Sequence, residues 1–170
     1  MKKEKILSFS IFIICYLLLT WAIIFKCNLL TSDMRFGVHS INLIPFKLIL
    51  RGEYCLEYLL NIIVYIPFGV FLYNAFKHKS LLFNIIFITL TSILYEVVQY
   101  IIYFGSSDIS DVITNALGGI IGIYLGKYLN KYISFKYINF LIIIIGIPLI
   151  IFAIIQTINV FPIYLEFIHS

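Results

Sequence analysis

The sequence predicts an all-α integral membrane protein, a single domain over residues 1–170 in which about five transmembrane helices form one bundle. Three observations carry this reading. The chain is 62% hydrophobic and 12% charged, with mean hydropathy +1.07. A soluble domain of this length cannot hide that much apolar side chain, whereas lipid solvates it. Five apolar stretches are long enough to cross a bilayer, and the basic residues are distributed unequally between their ends. The net charge of +4 does not form a nucleic-acid surface, because the basic residues sit in separate short loops. No Gly-rich phosphate loop is present.

The first stretch, about Ile6 to Phe25, follows Lys2, Lys3 and Lys5. It begins like a secretory signal but is long, and it ends in Trp21, Ile23, Ile24 and Phe25 rather than in a small-residue cleavage site. It reads as a retained helix, with Cys15 as a small apolar filler. The other stretches are Glu57 to Phe76, Leu81 to Phe104, Val112 to Leu129 and Tyr137 to Ile158, the last an additional C-terminal helix with no polar face. Lys77 and Lys79 join the second to the third, and Lys127, Lys131 and Lys136 join the fourth to the fifth. Eight of the twelve Lys and Arg residues therefore lie on the N-terminal side, and the remaining four, Lys26, Arg35, Lys47 and Arg51, share one long loop. The positive-inside rule then places the N-terminus in the cytoplasm and the C-terminus outside, as expected of a multi-pass protein of the cell membrane.

The long loop from Lys26 to Leu56 faces outward in this topology. Its apolar run, Ile41 to Leu50, is interrupted by Pro45 and is too short to cross. It is expected to lie in the interface or to re-enter between helices, either resting on headgroups or covering an outward cavity. His39 reads as a solvated loop histidine. Cys27 and Cys55 both fall outside, either bonded or as two free thiols. No Cys/His spacing indicates zinc.

Glu96 and Gln99 are the informative residues. They interrupt a stretch otherwise fit for the bilayer, where a carboxylate costs roughly 2.5–3.5 kcal/mol on insertion scales. At 100° per residue, Thr89, Ser92, Glu96, Gln99, Tyr100 and Tyr103 share one stripe of the third helix. The fourth carries a matching stripe of Asp111, Asn115, Gly118, Gly122 and Gly126, whose glycines permit close backbone approach and read as helix packing. Glu57, Asn61 and Tyr65 share a side of the second helix, which Pro67 and Gly69 are expected to interrupt.

Asp108 and Asp111 stand at the start of the fourth helix, where Asp108 or a neighbouring Ser can cap free N–H groups. The short connection makes the third and fourth helices antiparallel neighbours. With a 1.5 Å rise, Glu96 lies about 13 Å below Gly105 and Asn115 about 6 Å below Asp111. Glu96 is thus expected near the level of Gly118 and Gly119. The resulting picture is an outward polar pocket with Asp108 and Asp111 at its rim, Asn61, Gln99 and Asn115 on its wall and Glu96 as its floor. Blander readings exist for each part: interhelical glue, a cap pair, and a protonated structural Glu96.

These residues resemble the VanZ-like membrane proteins, a family named for an accessory protein of teicoplanin resistance. The resemblance covers about 42–127. It rests on Asn42-Leu-Ile-Pro45-Phe46, on Asn61 with Pro67-Phe-Gly69, on Glu96-Val-Val-Gln99, on Asp108-Ile-Ser-Asp111, and on Asn115-Ala-Leu-Gly118-Gly119 with Gly122. One departure is Gly105, which stands where the family often has Arg. The resemblance implies a role in lowering susceptibility to teicoplanin-type lipoglycopeptides, and no established reaction transfers with it.

Two mechanisms from different classes follow. A non-catalytic module would engage a lipid-linked envelope precursor, or the lipoglycopeptide itself, through the pocket. A small intramembrane enzyme would use Glu96 as general base, with a divalent cation at Asp108 and Asp111 or with those residues orienting substrate. Against the enzyme, the chain offers no convincing nucleophile, and His39, His78 and His169 lie outside the motif helices. No metal ligand set and no required cofactor is read from the residues. A third class is a stabilising subunit bound to another membrane protein or to further copies of itself. A transporter is disfavoured by the absence of an internal repeat.

Overall fold

Residues 2–24, 41–50, 56–101 and 107–133 are described by a computed structural model, with isolated positions beyond them. Four long helices account for most of these residues: α1 (Lys2–Ile24), α3 (Leu56–Ala75), α4 (Leu81–Ile101) and α5 (Ile109–Tyr132). A single-turn helix, α2 (Lys47–Leu50), precedes α3. Two short strands, β1 (Ile41–Asn42) and β2 (Ser107–Asp108), pair in parallel, Ile41 with Ser107 and Asn42 with Asp108. Among the described residues the regular structure is therefore helical apart from one two-residue bridge.

Among the described residues, three helices, α3, α4 and α5, are long and apolar enough to cross a membrane. The apolar part of α1, Ile6–Trp21, is shorter. The expected fifth span, Tyr137 to Ile158, lies outside the described residues, as do Cys27, Cys55 and His39. Helix α5 starts at Ile109 and ends at Tyr132, three residues beyond the expected segment at each end. Pro67 does not break α3, which runs through it from Leu56 to Ala75.

Chain direction alternates. Aromatic contacts run antiparallel between α1 and α3, with Phe9 on Phe76 and Tyr16 on Phe68, and parallel between α1 and α4, with Phe12 on Phe87 and Tyr16 on Tyr95. Phe12 sits at the centre, stacked on Phe68 at 5.8 Å and edge-on to Phe76 at 5.4 Å.

The closest packing joins α3 to α5, which run parallel. Ile62 meets Gly118, Ile66 meets Gly122, Val70 meets Gly126 and Asn74 meets Asn130, one position per turn in ascending order. A Cβ built on Gly122 would lie 2.1 Å from the Ile66 carbonyl oxygen, and one on Gly118 2.3 Å from that of Ile62. Gly69 contributes the reciprocal gap, 2.1 Å from the Gly119 oxygen. The glycine row expected on α5 is thus a packing seam, and its partner is α3. Helix α4 runs antiparallel to both, with Ile88 against Gly119 and Ser92 against Asn115.

Candidate functional site

Helical periodicity sets which side chains α4 turns inward. Asn84, Ile88, Thr91, Ser92, Tyr95, Glu96 and Gln99 are buried. Ser92, Glu96 and Gln99 come from the expected stripe, while Thr89 and Tyr100 sit half-buried at its flank and Tyr103 lies outside the described residues. On α5 the whole expected stripe is buried: Asp111, Asn115, Gly118, Gly122 and Gly126.

Asp108 organises the end of the bundle where these polar residues lie. It is the N-cap of α5, in extended conformation, and its Oδ1 accepts from the Ser110 amide at 2.8 Å and the Ser110 hydroxyl at 2.6 Å. Its Oδ2 accepts from Asn42 Nδ2 at 2.9 Å. Its backbone N–H donates to Glu96 Oε2 at 2.8 Å. One residue therefore ties together α4, α5 and the segment at 41–46.

The segment at 41–46 is held by its own motif. The Asn42 side chain accepts from the Ile44 amide and donates to the Ile44 carbonyl, both at 3.3 Å, which makes a local turn. Phe46 has positive φ (55°), an uncommon conformation for a residue with a side chain. Its amide donates to Ser110 Oγ at 2.9 Å, and its ring sits edge-on to Tyr58 at 5.7 Å. Residues 41–46 thus dock on the start of α5 rather than standing apart, while Leu43 and Ile44 remain exposed.

A second tier lies deeper. Asn61 Nδ2 donates to Asp111 Oδ1 at 2.9 Å, linking α3 to α5. Asn115 Nδ2 donates to Ser92 Oγ at 2.9 Å, linking α5 to α4. Thr20 Oγ1 lies 2.6 Å from the Tyr95 hydroxyl, linking α1 to α4. Among the described residues, the Tyr65 hydroxyl and Asn115 Oδ1 are buried without a hydrogen-bond partner.

Hydrogen bonds link the candidate residues pairwise or to neighbours. Asn61 and Asp111 pair, Glu96 and Asp108 pair, Asn115 turns to Ser92, and Gln99 is buried at 1% exposure. Glu96 lies level with the start of α5 and not beside Gly118 and Gly119, a correction to the expected depth. The expectation set the end of one helix level with the start of the next. In the structure α5 begins beside Glu96, about 7.5 Å short of the end of α4 at Ile101. The donors around Asp108 are an amide side chain, a hydroxyl and a backbone N–H, the set of a capped turn. Among the described residues no three His, Cys, Asp or Glu side chains come together as a metal site.

Sequence reasoning passed over Ser92 as a hydrogen-bond acceptor, Tyr95 as the α1 contact, and Asn84. Ser92 was on the polar stripe and Asn84 extends its inward side by two turns, so the periodicity itself held the signal.

Taken together, these features define a helical membrane protein with a polar hydrogen-bonded cluster at one end of its bundle. The chain belongs to the VanZ/LLP1 family, whose model matches residues 11–130. It is similar to Protein VanZ of Enterococcus faecium, at 34% identity over 148 residues, which cover 86% of this chain and 90% of that protein. No solved structure matches it.

Proposed function

We propose that this chain is a multi-pass protein of the cell membrane that lowers susceptibility to teicoplanin-type lipoglycopeptides by binding a lipid-linked envelope molecule at the Asp108 end. The N-terminus is cytoplasmic in this reading, five helices span, and the Asp108 end faces outward. Similarity to Protein VanZ supports the general role. Charge segregation supports the orientation: Lys77 and Lys79 follow the end of α3 and Lys127 and Lys131 lie in the last two turns of α5, whereas Glu57, Glu96, Asp108 and Asp111 lie at the opposite end.

The observation that carries the reading is the convergence on Asp108 of three separated motifs, through Asn42, Glu96 and Ser110. Glu96 accepts a backbone N–H there, a role that shapes a surface without proton transfer. This favours a binding module over an enzyme.

The test is teicoplanin and vancomycin susceptibility in a sensitive Gram-positive host carrying empty vector, wild type, Glu96→Gln or Asp111→Asn, with membrane levels matched by blotting. Wild type should protect several-fold against teicoplanin and not against vancomycin. Asp111→Asn should lose that protection, and Glu96→Gln should keep it, because an amide oxygen still accepts from the Asp108 N–H. Loss in Glu96→Gln at full expression would favour Glu96 as general base. An unprotective, well-expressed wild type would overturn the role altogether.

A further inference from the structure

At the opposite end of the bundle, α3, α4 and α5 enclose a cavity of about 200 Å³. That is far more than the roughly 10–15 Å³ one water requires. Its wall carries Lys79, Lys127, Asn84, Tyr73 and Tyr124, with Leu81 beside them. Among the described residues no carboxylate lines it. The site described above has no part in it.

Exposed lysines at a membrane interface are ordinary, and two of them would not make a site. Asn84 does. It is only 2% exposed, and among the described residues its Oδ1 has no hydrogen-bond partner. An orphaned acceptor within the bilayer is costly, so its place on the wall of a largely apolar cavity calls for a donor from outside the chain. The start of α4 adds positive potential. Ser80 Oγ accepts from the Phe83 amide at 3.1 Å, and the remaining first-turn N–H groups point toward this end. Lys79 Nζ lies 5.6 Å from the Phe83 ring centroid, above the same turn.

We infer that this cavity binds the phosphate of an anionic lipid with a hydroxylated headgroup, Lys79 and Lys127 taking the phosphate and Asn84 accepting from a headgroup hydroxyl. The half-buried Tyr73 and the exposed Tyr124 flank the entrance, and the apolar outer faces of α4 and α5 leave the acyl chains in lipid. On the topology proposed above the site lies in the cytoplasmic leaflet, but the binding chemistry does not depend on that orientation.

Native mass spectrometry of the full-length protein in detergent tests this, with phosphatidylglycerol, diacylglycerol and inorganic phosphate as separate probes. Phosphatidylglycerol should form a retained adduct and diacylglycerol should not. Lys79→Gln with Lys127→Gln should weaken the adduct at least about fivefold. Lys77→Gln with Lys131→Gln, the same charge change outside the cavity, should leave it unchanged. Asn84→Leu should weaken it with thermal stability retained. Displacement of the adduct by millimolar phosphate would show that phosphate alone is recognised, and resistance to it would show that the lipid is the source. Equal binding of diacylglycerol, or equal losses in the two lysine pairs, would overturn the inference.

Discussion

From Asp108 to Asn115, α5 meets its neighbours through side-chain hydrogen bonds, whereas from Gly118 to Gly126 it meets α3 through bare backbone. The two halves belong to one helix in one apolar environment, yet they obey different constraints. Lipid gives packed helices no hydrophobic incentive to associate, so close van der Waals approach and interhelical hydrogen bonds must do it. The glycine half takes the first route and, at Gly118 and Gly122, leaves no room for an added atom. The polar half takes the second, and its bonds also fix the segment at 41–46. Rigidity thus comes from one half, and a shaped polar surface from the other.

The comparison breaks most severely at Gly122. Gly122→Leu places carbon where the Ile66 carbonyl oxygen lies 2.1 Å from the Cβ position. The expected loss exceeds the roughly 1–3 kcal/mol of ordinary overpacking, and thermal unfolding in detergent should show no folded protein. Gly126→Ala sharpens the contrast, because its nearest atom is 3.2 Å away. It should change stability by no more than about 1 kcal/mol, with helix propensity offsetting the contact. Equal damage at both positions would refute a seam centred on Gly118 to Gly122.

Next in size is Asp108→Ala, which removes the cap of α5 and the acceptor for Asn42. A cost of about 2 kcal/mol is expected, with faster amide hydrogen exchange at Ile44 and Phe46. Unchanged exchange there would mean that residues 41–46 are held by something other than Asp108. Ser92→Ala leaves Asn115 Nδ2 without its acceptor and should cost about 1 kcal/mol by the same unfolding assay, the scale of interhelical bonds in membranes. Glu96→Gln is expected to be the mildest, within about 0.5 kcal/mol, because the acceptor for the Asp108 N–H survives. A loss as large as that of Asp108→Ala would mean that the negative charge of Glu96 itself holds the cluster.

Much of this was legible in the chain. A period of 3.6 residues identified five of the nine buried residues of α5 and three of the seven of α4, because lipid admits polar side chains only where a neighbour receives them. The position of Asp108 before an apolar helix identified its cap. Asn84 escaped notice although it prolongs the inward side of α4, and Tyr95 because an isolated phenol among apolar residues acquires meaning only from what lies opposite.

By itself, then, the sequence determined a helical membrane protein, three segments able to cross, and part of the inward faces of α4 and α5. Those follow from local periodicity and from the cost of polar groups in hydrocarbon. Tertiary structure alone decided that the glycine row meets α3 rather than α4, that β1 joins β2, and that Glu96 lies beside Asp108. Periodicity fixes the face a helix presents and a short loop fixes which helices are adjacent, but neither fixes the neighbour that face meets or the vertical register between them. Both were set by where two backbones could approach closest, at Gly69 and Gly122, and by which donors could reach Asp108.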